Sequence, residues 1–218
     1  YTINEDRPSP ADSLGPVTNP YLLSGYVGFD GGGLRIRYAY EMHHDFFGMS
    51  QLGGARPSEV VTSSTDVGHQ ATVQYVLSIG PEVQTRVVGT GELLSYETQD
   101  STPDDINKYS RPAFYALLEQ TIFGHHVWVA YGQAFEGVCS RVGGGACSTT
   151  GLGAKLGSLG YLYAFNEDTS FYLAGYRIIN DLWSRHTPYP PLNSTAVGAD
   201  VTGVGLGVFY SFGLKASR

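Results

Sequence analysis

The chain has 218 residues and a net charge of −7, with 29 glycines, 16 tyrosines and only 15% charged residues. A soluble domain usually has about 25% charged residues, and binding to nucleic-acid phosphates needs clustered Lys and Arg, so this composition excludes a general nucleic-acid-binding protein. No apolar run approaches the roughly 18 residues that a membrane-spanning helix needs, so any crossing of a membrane would be made by strands.

A β-hairpin is the first element that the sequence predicts, after a Pro- and Ser-rich loop at residues 5–19. Its turn is the glycine-rich stretch at residues 30–33, and apolar or aromatic residues occupy every second position of both flanking strands. In the second strand these positions hold Leu34, Ile36, Tyr38 and Tyr40. Arg35, Arg37 and Glu41 fall between them, so the pattern predicts one apolar face and one charged face.

Two further hairpins are predicted over residues 70–96 and 113–135, each after a long loop. The first of them has the same alternation, although its second strand is less regular. There the pattern assigns Arg86 and Glu92 to the charged face.

A fourth hairpin turns at residues 166–170. In its second strand the pattern assigns Tyr172 and Ile178 to the apolar face and Arg177 to the charged face. The final strand, at residues 201–212, alternates glycine and other small residues with apolar ones. The apolar positions are Val204, Leu206, Val208, Tyr210 and Phe212.

Strand edges and loop lengths together indicate a membrane protein. A glycine-rich apolar strand with a free edge would aggregate in water, whereas a barrel closed in lipid has no free edge. Short turns at one end and long loops at the other are typical of outer-membrane barrels. The sequence therefore predicts an all-β fold, an antiparallel transmembrane β-barrel with about ten strands visible, as one domain over residues 1–218.

The two cysteines, Cys139 and Cys147, flank three glycines in a loop at residues 137–149. They favour a disulfide in an oxidising compartment, with two reduced thiols as the alternative. Their spacing matches no common metal site. The adjacent histidines of the chain, as in His125-His126, point to opposite faces of a strand, so the sequence predicts neither a metal site nor a cofactor.

Four segments of the chain resemble the general porins of the Gram-negative outer membrane. They are residues 19–25 (NPYLLSG), 38–41 (YAYE) with His44-Asp45 just after, 159–171, and 198–207 (GADVTGVGLG), in the family's order. The resemblance implies a sixteen-stranded barrel of which this chain is the later part, lacking the N-terminal strands and the inward-folded constriction loop. It also implies a homotrimer in the bacterial outer membrane, surrounded by lipid and lipopolysaccharide. Unlike the family, the chain continues beyond the aromatic Phe212.

The alternation and the resemblance together predict a channel for passive diffusion of small hydrophilic solutes and ions. The residues predicted to line the pore are Arg35, Arg37, Glu41, Arg86, Glu92 and Arg177. The residues predicted to face lipid are Leu34, Ile36, Tyr38, Tyr40, Val204, Leu206, Val208, Tyr210 and Phe212. The basic cluster on the charged face hints at anion preference, while the net charge of the chain is acidic, so selectivity stays open.

Two other functions fit parts of the pattern. A soluble β-barrel that binds a ligand would use the apolar positions to line its cavity. An outer-membrane barrel enzyme would carry its site in the loops, but the sequence has neither a Gly-x-Ser-x-Gly elbow nor a His-Glu-x-x-His motif, and we predict no enzyme.

Overall fold

The computed structural model describes residues 2–3, 21–44, 64–80, 82–98, 106–145, 147–166, 168–187 and 196–211. They form one antiparallel sheet in which ten strands follow one another in sequence order, and a short eleventh strand pairs beside this path. The strands are β1 (Thr2–Ile3), β2 (Tyr21–Gly31), β3 (Leu34–His44), β4 (Ser64–Ser78), β5 (Val83–Thr98), β6 (Ile106–Ile122), β7 (His125–Ala134), β8 (Val138–Arg141), β9 (Ala154–Ala164), β10 (Thr169–Asn180) and β11 (Val201–Tyr210). Within these residues no helix is long and apolar enough to cross a membrane.

Two of the hairpins have the tightest turns that an antiparallel pair allows. Gly32 and Gly33 join β2 to β3 with φ values of 57° and 82°. Phe123 and Gly124 join β6 to β7 with φ values of 50° and 81°. Two consecutive residues with positive φ twist the chain in the direction that strand pairing requires, which explains why three of these four positions are glycine.

The predicted all-β antiparallel architecture is confirmed, and the differences lie at the loop ends. Strand β6 begins at Ile106, not near residue 113, because its first residues pair with both β5 and β8. Strand β8 lies inside the predicted cysteine loop. Pro112 marks the point where β6 exchanges β7 for β8 as its partner, and its carbonyl accepts a hydrogen bond from the Phe135 amide at 3.1 Å.

The sheet has two chemically different faces. Directly opposite residues of an antiparallel pair share a face, so the strand register defines rows across the sheet. One row contains Leu34, Tyr75, Val87, Leu118, Val129, Leu159, Gly175 and Val204. We call the face with this row the apolar face and the opposite one the polar face.

The apolar face is the exposed one. Leu159 is 68% exposed and Leu206 79% exposed, and most large apolar side chains of this face are similarly open. The buried apolar residues among those described are Ile106, Tyr109, Ala130, Ala154 and Ile178. Within the described residues, most large apolar side chains therefore lie on the exposed face and not in a buried core.

The described strand pairs run from β1 to β11 without returning to the start. Thr2 and Ile3 lie opposite Leu22 and Tyr21, so β1 pairs with β2 and not with β11. The sheet is therefore a barrel-like wall that is not closed within the part of the chain that the structure describes.

Candidate functional site on the polar face

Five of the residues predicted to line a pore share the polar face. Arg35, Arg37 and Glu41 lie on β3, and the register through β4 places Arg86 and Glu92 of β5 on the same side. The neighbours between them are polar: the Thr72 and Thr90 hydroxyls, for example, lie 3.0 Å apart in the row of Arg37. The polar face thus continues across the three strands β3, β4 and β5.

The predicted grouping of Arg177 with these residues is wrong. Arg177 lies opposite Gly157 and Thr202, in the row of Ile36, and so on the apolar face. Its Nη2 donates to Asp200 Oδ2 at 2.8 Å, and this contact holds the pKa of the Asp200 carboxyl below its usual range.

The error has a physical reason, because both faces of β10 are apolar. Tyr172 and Ile178, predicted to share the apolar face with Tyr161, lie on the polar face. Phe171 and Leu173 occupy the apolar face instead. When both parities of a strand are apolar, alternation does not identify the outer one.

The remaining predicted lipid-facing residues lie together on the apolar face. Strand β3 contributes Leu34, Ile36, Tyr38 and Tyr40, and β11 contributes Val204, Leu206, Val208 and Tyr210. Phe212 lies outside the described residues.

The arginines of β3 share one carboxylate that the sequence analysis placed in a turn. Asp30 Oδ1 accepts a hydrogen bond from Arg35 Nε at 2.6 Å, and Oδ2 contacts Arg37 Nη2. Asp30 lies directly opposite Arg35 across the two-residue turn. Because Asp30 and Arg35 are equally distant from the two turn glycines, their pairing could have been predicted from the sequence.

Arg86 is paired as well. Its guanidinium contacts the carboxylate of Glu119, which lies directly opposite on β6. His126 Nδ1 lies 3.4 Å from the same carboxylate. The sequence analysis missed Glu119 because it did not assign faces in the third hairpin.

A cavity of about 750 Å³ lies over β2–β5, near the ends of the strands that carry long loops. Most of its lining side chains belong to the polar face, so this face is concave here. Among the described lining residues, the carboxylates are those of Glu41, Asp66 and Glu92, and Tyr26 and Tyr96 contribute aromatic rings. Glu41 contacts the His43 ring, and Asp66 is only 5% exposed.

Beyond the cavity, the polar face is covered by the segment at residues 181–187, which we call the β10 loop. Ala113, Ala134, Ala154 and Asn180 form the last row that β6, β7, β9 and β10 share, and the three methyl groups leave room above it. Arg111 lies two residues before Ala113 on β6, on the same face. Its Nη1 donates to His186 Nε2 at 3.1 Å, so the β10 loop reaches from β10 to β6.

Asn180 holds the β10 loop in place and is 7% exposed. Its Nδ2 donates to the carbonyls of His186 and Ala199 at 3.0 and 2.8 Å. Its Oδ1 accepts from the His186 amide at 2.7 Å and from Ser184 Oγ at 2.9 Å. A buried side chain with all four hydrogen bonds made fixes the backbone around it. No local sequence pattern indicated this role.

The cysteine loop packs beside the β10 loop. Cys139 and Cys147 form a disulfide with their Cα atoms 5.5 Å apart. Both cysteines and Leu152 pack against Ile106 and the 2%-exposed Tyr109. Tyr109 Oη donates to the Glu136 carbonyl at 2.9 Å, which ties the loop to β6.

His186 is expected to make the β10 loop sensitive to acid. Burial, and then the positive charge of Arg111, lower its pKa from 6.5 to about 4. The unfolded chain therefore binds a proton at a higher pH than the folded chain does. This contribution to stability is complete above pH 6.5 and is lost as the pH falls from 6.5 to about 4.

A comparison of the wild type with His186→Gln checks this pH dependence, because glutamine keeps an acceptor for Arg111 but does not titrate. Urea unfolding midpoints measured between pH 4 and 7.5 should fall more steeply for the wild type below pH 6.5. Parallel curves for the two proteins would contradict the assignment.

The structure brings together no group of three or more His, Cys, Asp or Glu residues that could hold a metal ion, as far as the described ranges extend. His125 stacks on Tyr163 on the apolar face with ring centroids 4.7 Å apart. The next residue, His126, lies on the polar face, where its Nδ1 is 3.0 Å from the Thr121 hydroxyl.

The sequence was also compared with known proteins. No protein-family model matches the chain, and a search of curated proteins finds no significant match.

Proposed function

We propose that the chain forms part of the wall of a water-filled channel in the bacterial outer membrane, through which small hydrophilic solutes and ions diffuse passively. One observation carries the proposal: a single antiparallel sheet has a continuous exposed apolar face and, on its other side, a concave polar face with ion pairs. This is the division that a spanning barrel needs between lipid and water.

The extent of the apolar face supports a lipid environment. Its exposed side chains continue from Val27 on β2 to Leu206 on β11, across nine consecutive strands of the sheet path. Soluble monomers rarely expose a continuous apolar patch larger than a few hundred Å². Lipid chains would cover this surface without the cost of contact with water.

Aromatic rings at both ends of the apolar face fit the two interfaces of a bilayer. At the long-loop end, Phe114 lies 5.8 Å from Tyr131 and 6.0 Å from Phe135 between ring centroids. At the short-turn end, Tyr163 lies in the row of Ile122. Phe114 and Ile122 are about 26 Å apart along β6, or about 20 Å across a bilayer at a tilt of about 40°, close to the apolar band of roughly 25 Å in such barrels.

The polar face suits a wall in contact with water. Asp30, Arg35 and Arg86 form ion pairs while their side chains stay 53%, 53% and 42% exposed. Charges that keep their hydration in a lumen cost little and create a field that acts on passing ions. The proposed channel needs no covalent chemistry and no cofactor.

A soluble ligand-binding barrel fits the structure less well. That function requires the apolar positions to line the internal cavity. Here the cavity is lined mainly by polar-face residues such as Glu41 and Gln70, and the apolar positions are exposed. The resemblance to general porins extends the proposal to a homotrimer in contact with outer-membrane lipid and lipopolysaccharide.

Planar-bilayer recording of the full-length protein tests the proposal. We expect discrete conductance steps in KCl, and we expect the purified protein to aggregate when detergent is removed. A protein that stays monodisperse without detergent and gives no conductance steps would overturn the proposal and favour the soluble barrel.

A further inference from the structure

We infer that the proposed channel conducts cations in preference to anions, and that Glu41 and Glu92 on the polar face determine this preference. The inference rests on the proposed function and names its substrate class. It follows from three features of the polar face: the pairing of its arginines, the covering of one half of it, and the charges that line the open half.

Pairing removes most of the positive charge that the sequence suggested for the lumen. Asp30 binds both Arg35 and Arg37, so these three residues together carry one net positive charge. The contact of Arg86 with Glu119 leaves no net charge at that pair. Ions passing this end of the polar face therefore meet nearly balanced charges.

Covering restricts the path to one half of the polar face. All five buried apolar residues of the described chain lie on β6, β7, β9 or β10, and the two on β6, Ile106 and Tyr109, pack against both cysteines and Leu152. There the Arg111 guanidinium donates a hydrogen bond to the His186 ring of the β10 loop. Over β2–β5 the face is open and holds the cavity, with Tyr26 79% exposed. Solutes would pass along β2–β5.

The open half is acidic. Glu41, Asp66 and Glu92 line the cavity, and among the described residues that line it there is no Lys or Arg. The Glu41 side chain is 52% exposed beside His43, and within the described part of the chain Glu92 forms no ion pair with Lys or Arg. Asp66 is only 5% exposed, so the inference rests on Glu41 and Glu92.

Negative charge in a narrow polar space raises the local concentration of cations and lowers that of anions. At about 5 Å through water, a single carboxylate changes the local concentration of a monovalent ion several-fold, and salt within a Debye length reduces this effect. The expected preference is therefore moderate and strongest at low salt. The tyrosine rings at the cavity would extend it to small organic ammonium ions, which bind to aromatic faces.

Reversal potentials in a KCl gradient across a planar bilayer test the inference. The wild type should give a potassium-to-chloride permeability ratio above 1. Glu41→Gln and Glu92→Gln should each lower this ratio by about twofold at 0.1 M salt, and the double variant should bring it close to 1. Glu97→Gln is the matched control. Glu97 is exposed and directly follows the cavity residue Tyr96 on β5, but its side chain lies on the opposite face of the sheet.

The outcomes separate the two proposals. Absence of conductance steps in the wild type overturns the channel itself. Steps with a ratio at or below 1, or a ratio that both glutamine variants leave unchanged, overturn the cation preference and leave the channel standing. An equal fall of the ratio in Glu97→Gln also overturns it, because net charge and not the cavity would then set the selectivity.

Discussion

Replacing Val87 by arginine is expected to cost about 2–4 kcal/mol of folding free energy in a lipid bilayer, whereas the same replacement at the neighbouring Val88 is expected to cost about 1 kcal/mol or less. Val87 lies in the middle of the apolar face, between Tyr75 and Leu118. A guanidinium there would enter the hydrocarbon, where nothing replaces its hydration.

Val88 is the matched control, because it differs from Val87 only in the face it occupies. Its neighbours across the strands are Gln74 and Leu117, and its row contains Arg35. An arginine at this position can extend into the polar lumen and stay hydrated.

Guanidinium unfolding of both variants in vesicles of a medium-chain phosphatidylcholine measures the difference. We expect a lower midpoint for Val87→Arg and nearly the wild-type midpoint for Val88→Arg. Equal losses at the two positions would show that the two faces meet the same environment, and this would remove the main support for a membrane wall.

How far the sequence determined this picture depends on how different the two parities of each strand are. On β3, every charged residue before Glu41 alternates with an apolar or aromatic one, and the face of each residue follows from the period of two. On β10, large apolar or aromatic residues occupy both parities, with Phe171 and Leu173 on one and Tyr172 and Ile178 on the other, so Arg177 was assigned to the wrong face. The face of a residue can therefore be predicted from alternation only where the two faces of its strand differ in composition.

Charge partners were predictable where a turn fixes the register and not elsewhere. Asp30 and Arg35 are related by the two-residue turn at Gly32 and Gly33, so a register drawn from the turn would have paired them. The contact of Arg111 with His186 joins residues 75 positions apart through a loop. No periodicity relates such residues, because the contact depends on the row of alanines that leaves space for the β10 loop.

The cavity carboxylates and the paired arginines also change the ion preference that the arginines alone would suggest. Counting only the arginines on β3 and β5 suggests an anion path, because their partners Asp30 and Glu119 lie on the neighbouring strands β2 and β6. The register supplies Asp30 and Glu119, and the sign of the field that we infer for the open half then follows from Glu41 and Glu92. In the proposed channel, selectivity would therefore depend on the rows across the sheet and not on any one strand.

Asn180→Ala is expected to release the β10 loop, at a cost of about 2–3 kcal/mol to the local closed state. The substitution removes the hydrogen bonds that Asn180 makes with the His186 backbone, with the Ala199 carbonyl and with Ser184 Oγ. Each net hydrogen bond contributes about 1 kcal/mol, and the buried groups left without a partner add to the loss. The contact between Arg111 and His186 should weaken with the loop that carries it.

Hydrogen exchange of the Gly198 amide measures this opening, because that amide donates to the Ser184 carbonyl at 2.8 Å within the same loop structure. A local loss of about 2–3 kcal/mol corresponds to exchange roughly 30- to 150-fold faster. Asn166→Ala is the control, since the exposed Asn166 side chain accepts a single hydrogen bond from the Asp168 amide at 2.9 Å and should leave Gly198 unaffected.

The same variant tests whether the β10 loop limits the open area of the proposed channel. With the loop released, the half of the polar face over β6–β10 becomes accessible, and the single-channel conductance should rise while Asn166→Ala keeps the wild-type value. Faster exchange at Gly198 without any change in conductance would show that the β10 loop only stabilises the strand ends and does not narrow the path.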